Sequence, residues 1–174
     1  LGPNLSPFPS VEWRYSITAR ANRWEELVME LETVFGLASQ LAMVGWLVLA
    51  ATPYRYAMAK VIAVGVGLVL AAVYAALMGT FWGQGEGGFG SLAGVQALFA
   101  HPGLLLGGWI HYLAFDLLVG TWEREQAAAI GLSRWLLLPC LFMTFMFGPV
   151  GWLLFMAMRF VRTSMQAKSA EAGG

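Results

Sequence analysis

Charge is what this chain has least of. Charged residues make up 11% of its 174 positions, where a globular protein carries about 25%. So few charges cannot cover a water-facing surface, which excludes an ordinary soluble domain. The 10 Lys+Arg and 10 Asp+Glu cancel, so there is no basic field to attract nucleic acid. Cys140 is the single cysteine. It rules out an internal disulfide and any Cys-based metal cluster, and no metal site is expected. The glycines between Gly83 and Pro102 lack the Gly-Lys-Ser/Thr ending of a phosphate-binding loop, which argues against a nucleotide role. No internal repeat or charged pathway suggests a transporter.

Apolar residues fill the space left by charge, at 59% of the chain. A helix crossing the hydrocarbon core needs about 20 mostly apolar residues. Four segments qualify: roughly Thr33–Ala51, Val61–Trp82, Gly103–Trp122 and Trp135–Met158. The expected fold is therefore all-α, a four-transmembrane-helix bundle with an N-terminal extended arm and a short amphipathic helix. Residues 1–32 form the arm and amphipathic helix, 33–162 the membrane domain and 163–174 a polar tail. Pro3, Pro7 and Pro9 set the arm, read as extended over residues 1–19. Asn22, followed by Glu25 and Glu26, reads as a helix start. Trp82, Trp109, Trp122 and Trp135 fall near span ends, as in an aromatic belt. Four spans put both termini on one side, where Lys and Arg are slightly in excess.

Within the spans, the third stands out because an ionisable residue inside a membrane helix is expensive and reads as functional by default. At 100° per residue, Trp109, Tyr112, Asp116 and Glu123 lie within about 60° of arc. Asp116 is the candidate proton-transfer group, weighed against a role bonding neighbouring helices together. His111 is the candidate base or ligand to a haem- or chlorophyll-type metal, weighed against an interhelical hydrogen bond. It lies about 140° from Asp116, so the two cannot meet by stacking on one helix. Glu123 falls at the expected water boundary. In the fourth segment, Pro149 removes a backbone donor and clashes with the carbonyl of Phe145, which predicts a kink. Ser91 is placed to cap a short helix before the third span.

Four stretches form a familiar set. They are Trp109-Ile-His-Tyr-Leu-Ala-Phe-Asp-Leu-Leu-Val-Gly120, Gly87-Gly-Phe-Gly-Ser-Leu-Ala-Gly-Val95, Phe147-Gly-Pro-Val-Gly151 and Gly45-Trp-Leu-Val-Leu49. Together they resemble the membrane family named for the plant abscisic-acid-deficient-four protein, which is needed for neoxanthin synthesis. The resemblance covers residues 33–162 and implies a carotenoid-linked protein of a bacterial inner, photosynthetic or plastid membrane. It carries His111, Asp116 and Gly120 over as motif residues. Glu123-Arg-Glu125 departs from the family's apolar continuation, and residues 1–32 are additional to it.

The reading that follows is a protein that binds or isomerises a xanthophyll between its helices. Asp116 and His111 would be catalytic, and Trp109, Tyr112 and Glu123 would line the ligand. The pigment is a carotenoid or a chlorophyll-type molecule. The alternative is a non-enzymatic accessory subunit of a photosynthetic membrane complex, contacted through residues 1–32.

Overall fold

The computed structural model describes residues 11–172, and no strand occurs among them. Six helices follow in order: α1 Val11–Ala51, α2 Met58–Phe81, α3 Leu92–Leu98, α4 Pro102–Ala129, α5 Arg134–Phe147 and α6 Pro149–Ala172. Residues 1–10 of the expected arm lie outside the described residues. Residues 11–19 are helical rather than extended, and Asn22 lies inside α1 rather than at its start. The physical reason is that all three arm prolines precede Val11. No proline follows until Pro53, so nothing breaks the backbone ladder.

Helices α1, α2 and α4 are each long and apolar enough to cross a membrane. They pack as a three-helix unit with α4 central. Helix α2 runs antiparallel to α4: Phe81 meets Gly103, Met78 meets Gly107, and Leu118 meets Gly67. Lys60 closes the row with an ion pair to Glu125. Each glycine admits a large side chain from the facing helix, the close approach that small residues permit in lipid. Helix α1 runs parallel to α4, with Ser39 against Trp109 and Trp46 over Gly120.

The helix ends are closed by specific groups. His101 precedes Pro102 and accepts a hydrogen bond from Gly103 N at 3.2 Å, capping α4. Ser91 Oγ accepts from Gly94 N at 3.0 Å and caps α3 as predicted. The last carbonyls of α1 have no helical donors. Arg134 donates to Ala50 O and Ala51 O at 2.6 and 2.8 Å, and Arg124 donates to Thr52 O and Pro53 O at 3.3 and 2.7 Å. Two cations thus meet the negative end of the α1 dipole.

The fourth apolar segment is not one helix. Gly148 adopts φ +44°, ψ −96°, a conformation open to glycine but strained for other residues. The chain reverses there, and α6 returns along α5. Cys140 lies 3.3 Å from the Met158 sulfur, Arg162 donates to Gly131 O, and Gln166 donates to Ile130 O. The kink expected at Pro149 is a full hairpin. Helix α5 has 14 residues, about 21 Å at 1.5 Å per residue, against about 30 Å of hydrocarbon. The hairpin rises from the end of the bundle holding the Arg124 and Arg134 caps, here the arginine end. Its tip stops beside the middle of α4. Residues beyond Arg162 therefore leave at the arginine end, whereas α1 begins at the opposite end, where Trp24, Phe81 and His101 cluster. The expected sharing of one side by both termini does not hold in this arrangement.

Candidate functional site

Helix α4 presents a different chemistry to each neighbour. Its face toward α5 and α6 carries the polar residues. Asp116 sits at mid-helix against the hairpin tip: a Cβ added to Gly148 would fall 2.9 Å from its Oδ1 and 3.0 Å from its Oδ2. Only a residue without a side chain lets the tip approach this carboxyl so closely. One Asp116 oxygen, Oδ2, is buried without a hydrogen-bond partner.

Tyr112, one turn before Asp116, donates its hydroxyl to Phe145 O at 2.9 Å. That carbonyl lies in the last turn of α5, where the helix ends and no helical donor follows. The tyrosine thus satisfies an acceptor that the chain reversal orphans, and it ties the hairpin to α4. Trp109, a further turn away, donates Nε1 to Ser39 Oγ at 3.2 Å and packs, tilted by 31° and 35°, against the Tyr112 ring at 5.5 Å and the Phe35 ring at 5.6 Å.

Glu123 was expected at the water boundary. The structure instead buries it completely, at 0% exposure. The half-height hairpin covers it. Thr144 of α5, itself fully buried, donates to Glu123 Oε1 at 2.9 Å, while Oε2 has no partner. Gly151 of α6 lies so close that a Cβ there would overlap the Thr144 backbone. Gly148 and Gly151 leave room for a close neighbour, as the sequence suggests, and that neighbour is Asp116 at Gly148 and Thr144 at Gly151. Thr144 was missed as part of the site, and its only signal in sequence was a polar residue shortly before the Gly148-Pro149 break.

His111 faces elsewhere. It stacks on Phe115 at 4.5 Å and lies 5.5 Å from Tyr74 of α2. With Tyr74, Met78, Phe89 and Phe99 it lines a groove of about 310 Å³ under α3. The structure does not bring His111 and Asp116 together, in keeping with their angular separation. Among the described residues, no group of three or more His, Cys, Asp or Glu side chains could hold a metal ion.

Two further apolar recesses flank Trp109. One of about 320 Å³ lies between α1 and α4, lined by Leu31, Phe35, Leu105 and Trp109. The other, about 420 Å³, is lined by Phe99, Leu105, Gly108, Trp109 and Tyr112. They share Leu105 and Trp109 and lie on the half of α4 that the hairpin does not reach. Tyr112 belongs to both this aromatic surface and the hairpin tip.

Three apolar helices of spanning length, with a polar seam between α4 and the hairpin, define a multi-pass membrane protein of all-α class. A family model described as ABA DEFICIENT 4-like matches residues 33–155. The chain belongs to that family, and it is a carotenoid-related membrane protein. No curated protein and no solved structure matches it.

Proposed function

We propose that the protein holds a xanthophyll against α4, its polyene along Phe35, Trp109 and Tyr112 and its polar end ring at the hairpin tip beside Asp116. The observation that carries this reading is the half-height hairpin. It leaves the aromatic stripe of α4 uncovered and ends that stripe on a carboxyl with an unpartnered buried oxygen. A long apolar molecule buries well on such a surface, and one fixed polar group orients it. In the same reading, Asp116 is the proton donor or acceptor of an isomerisation. His111 opens onto a separate groove and joins the reaction only through the ligand. Glu123 supports the seam from inside and does not line the ligand.

The test is reconstitution of the purified protein with a hydroxylated carotenoid, read by induced circular dichroism in the visible band and by chromatography of the extracted isomers. Trp109→Ala is expected to weaken retention about tenfold, on the scale of losing one aromatic anchor. Asp116→Asn is expected to keep the pigment and lose isomer conversion. Equal retention by wild type and Trp109→Ala would remove the groove from the proposal.

A second reading, an accessory subunit docked through residues 1–32, draws on the length of α1. Its 41 residues reach about 61 Å, twice the hydrocarbon thickness, and leave Trp24 and Met29 exposed. Deleting residues 1–19 should leave the spans inserted and reduce co-purification of a larger assembly. Unchanged co-migration would end that reading.

A further inference from the structure

The outer side of the hairpin holds a second apolar groove, remote from Asp116 and from the recesses beside Trp109. It lies between α5 and α6, has a volume of about 380 Å³, and is lined by Leu132, Leu136, Met158, Val161 and Met165, with Ala157 in its wall. One cation, Arg162, stands among these residues. Its Nη2 donates to Gly131 O at 3.3 Å, while its Nε is buried without any hydrogen-bond partner. A guanidinium has five donors in a fixed fork suited to an anionic group. A guanidinium lining an otherwise apolar groove is a position that an anion-bearing amphiphile would complete.

The surroundings favour negative charge. Arg55, Lys60, Arg124, Arg134, Arg159 and Lys168 share the arginine end with Arg162. Of these seven cations, only Lys60 meets a carboxylate among the described residues, that of Glu125. Arg124 and Arg134 are committed to backbone carbonyls, and Arg159 lies over the Trp122 ring at 5.9 Å. This leaves the arginine end with a surplus of cations.

We propose that this groove binds an anionic membrane lipid, one acyl chain lying along Leu136, Met158 and Val161 and the charged headgroup on the Arg162 guanidinium. The site rests on membrane embedding alone and is independent of the carotenoid reading. Groove and cation select together: the chain requires the apolar walls, and the headgroup charge requires Arg162.

Native mass spectrometry of the detergent-purified full chain, titrated with phosphatidylglycerol or phosphatidylcholine, tests it. The expected result is about fivefold tighter retention of phosphatidylglycerol, the scale of one cation beside an anionic headgroup. Arg162→Gln should abolish the preference, Arg162→Lys should keep part of it, and Arg55→Gln, at the same end, should leave it intact. Ala157→Phe should fill the groove and lower retention of both lipids. Excess glycerol phosphate, which has no acyl chain, should not displace the lipid. Should Arg162→Gln fail to fold, the Lys and Ala157→Phe variants decide the matter. Equal retention of the two lipids by the wild type overturns the proposal. So does an Arg55→Gln loss as large as that at Arg162, which marks diffuse charge, or displacement by glycerol phosphate, which marks a free-anion site.

Discussion

Two of the seams along α4, toward α2 and toward the hairpin, are built from the same device and used differently. Toward α2, glycines receive large apolar side chains: Gly103 takes Phe81, Gly107 takes Met78, and Gly67 takes Leu118. Toward the hairpin, Gly148 admits the Asp116 carboxyl instead of an apolar side chain, and within the hairpin Gly151 lets α6 close on the Thr144 backbone. The first seam is dry and holds the fold. The second gathers Tyr112, Asp116, Glu123 and Thr144 in a buried to half-buried region, where each polar group needs a partner or becomes expensive. Close packing is common to both, so the hairpin seam differs in chemistry rather than in tightness.

Substitutions should separate the two. The largest effect is expected at Gly151→Ala, because the added Cβ would stand 2.0 Å from Thr144 N. Backbone cannot swing aside, and the cost should be about 3 kcal/mol or more, the upper end for overpacking. Thermal unfolding in detergent measures it. A wild-type midpoint would mean that α5 and α6 do not pack as described.

Next comes Glu123. Glu123→Gln keeps the shape and the acceptor for Thr144, whereas Glu123→Leu strands the Thr144 hydroxyl and should cost about 1–3 kcal/mol more. Equal midpoints for the two variants would show that the Thr144 bond contributes nothing.

Tyr112→Phe leaves Phe145 O without its donor and should cost about 1–2 kcal/mol, the range for one unsatisfied buried acceptor. If instead it stabilises the protein, another group must satisfy that carbonyl.

The smallest effect belongs to the dry seam. At Gly107→Ala the clash is with the terminal methyl of Met78, a flexible end that can rotate away. A loss under about 1 kcal/mol is expected. A loss as large as that at Gly151 would make the two seams alike and remove the contrast.

Much of the dry seam was legible in the sequence. The three spans show as apolar runs, and Gly103 and Gly107 show as small residues one turn apart. The opposed faces of His111 and Asp116 follow from helical period alone. The hairpin seam was not legible, for a specific reason. Hydropathy counts apolar residues without direction, so α5 and the first half of α6 sum to the length of one span whether the chain continues or doubles back. Pro149 marks the break, but the reversal depends on the positive φ of Gly148 and on contacts such as Arg162 to Gly131 O. Once the hairpin is misread as a through-going helix, Glu123 appears to sit at water, because what covers it is missing.

The hairpin also sets the direction in which the protein can be threaded into its membrane. A segment that turns back at mid-depth adds no crossing, so three crossings by α1, α2 and α4 would place the start of α1 and the end of α6 on opposite faces. Arg55, Lys60, Arg124, Arg134, Arg159, Arg162 and Lys168 then all stay on one face, leaving Arg14, Arg20 and Arg23 to the other. Retention of basic loops on the cytoplasmic face during insertion would hold back the arginine end and export the N-terminal part of α1. In that threading, a partner bound to the N-terminal part of α1 would have no access to residues beyond Arg162. Impermeant labelling of Glu86→Cys and Ser169→Cys in sealed vesicles should report opposite sides, and labelling from the same side would restore the fourth crossing.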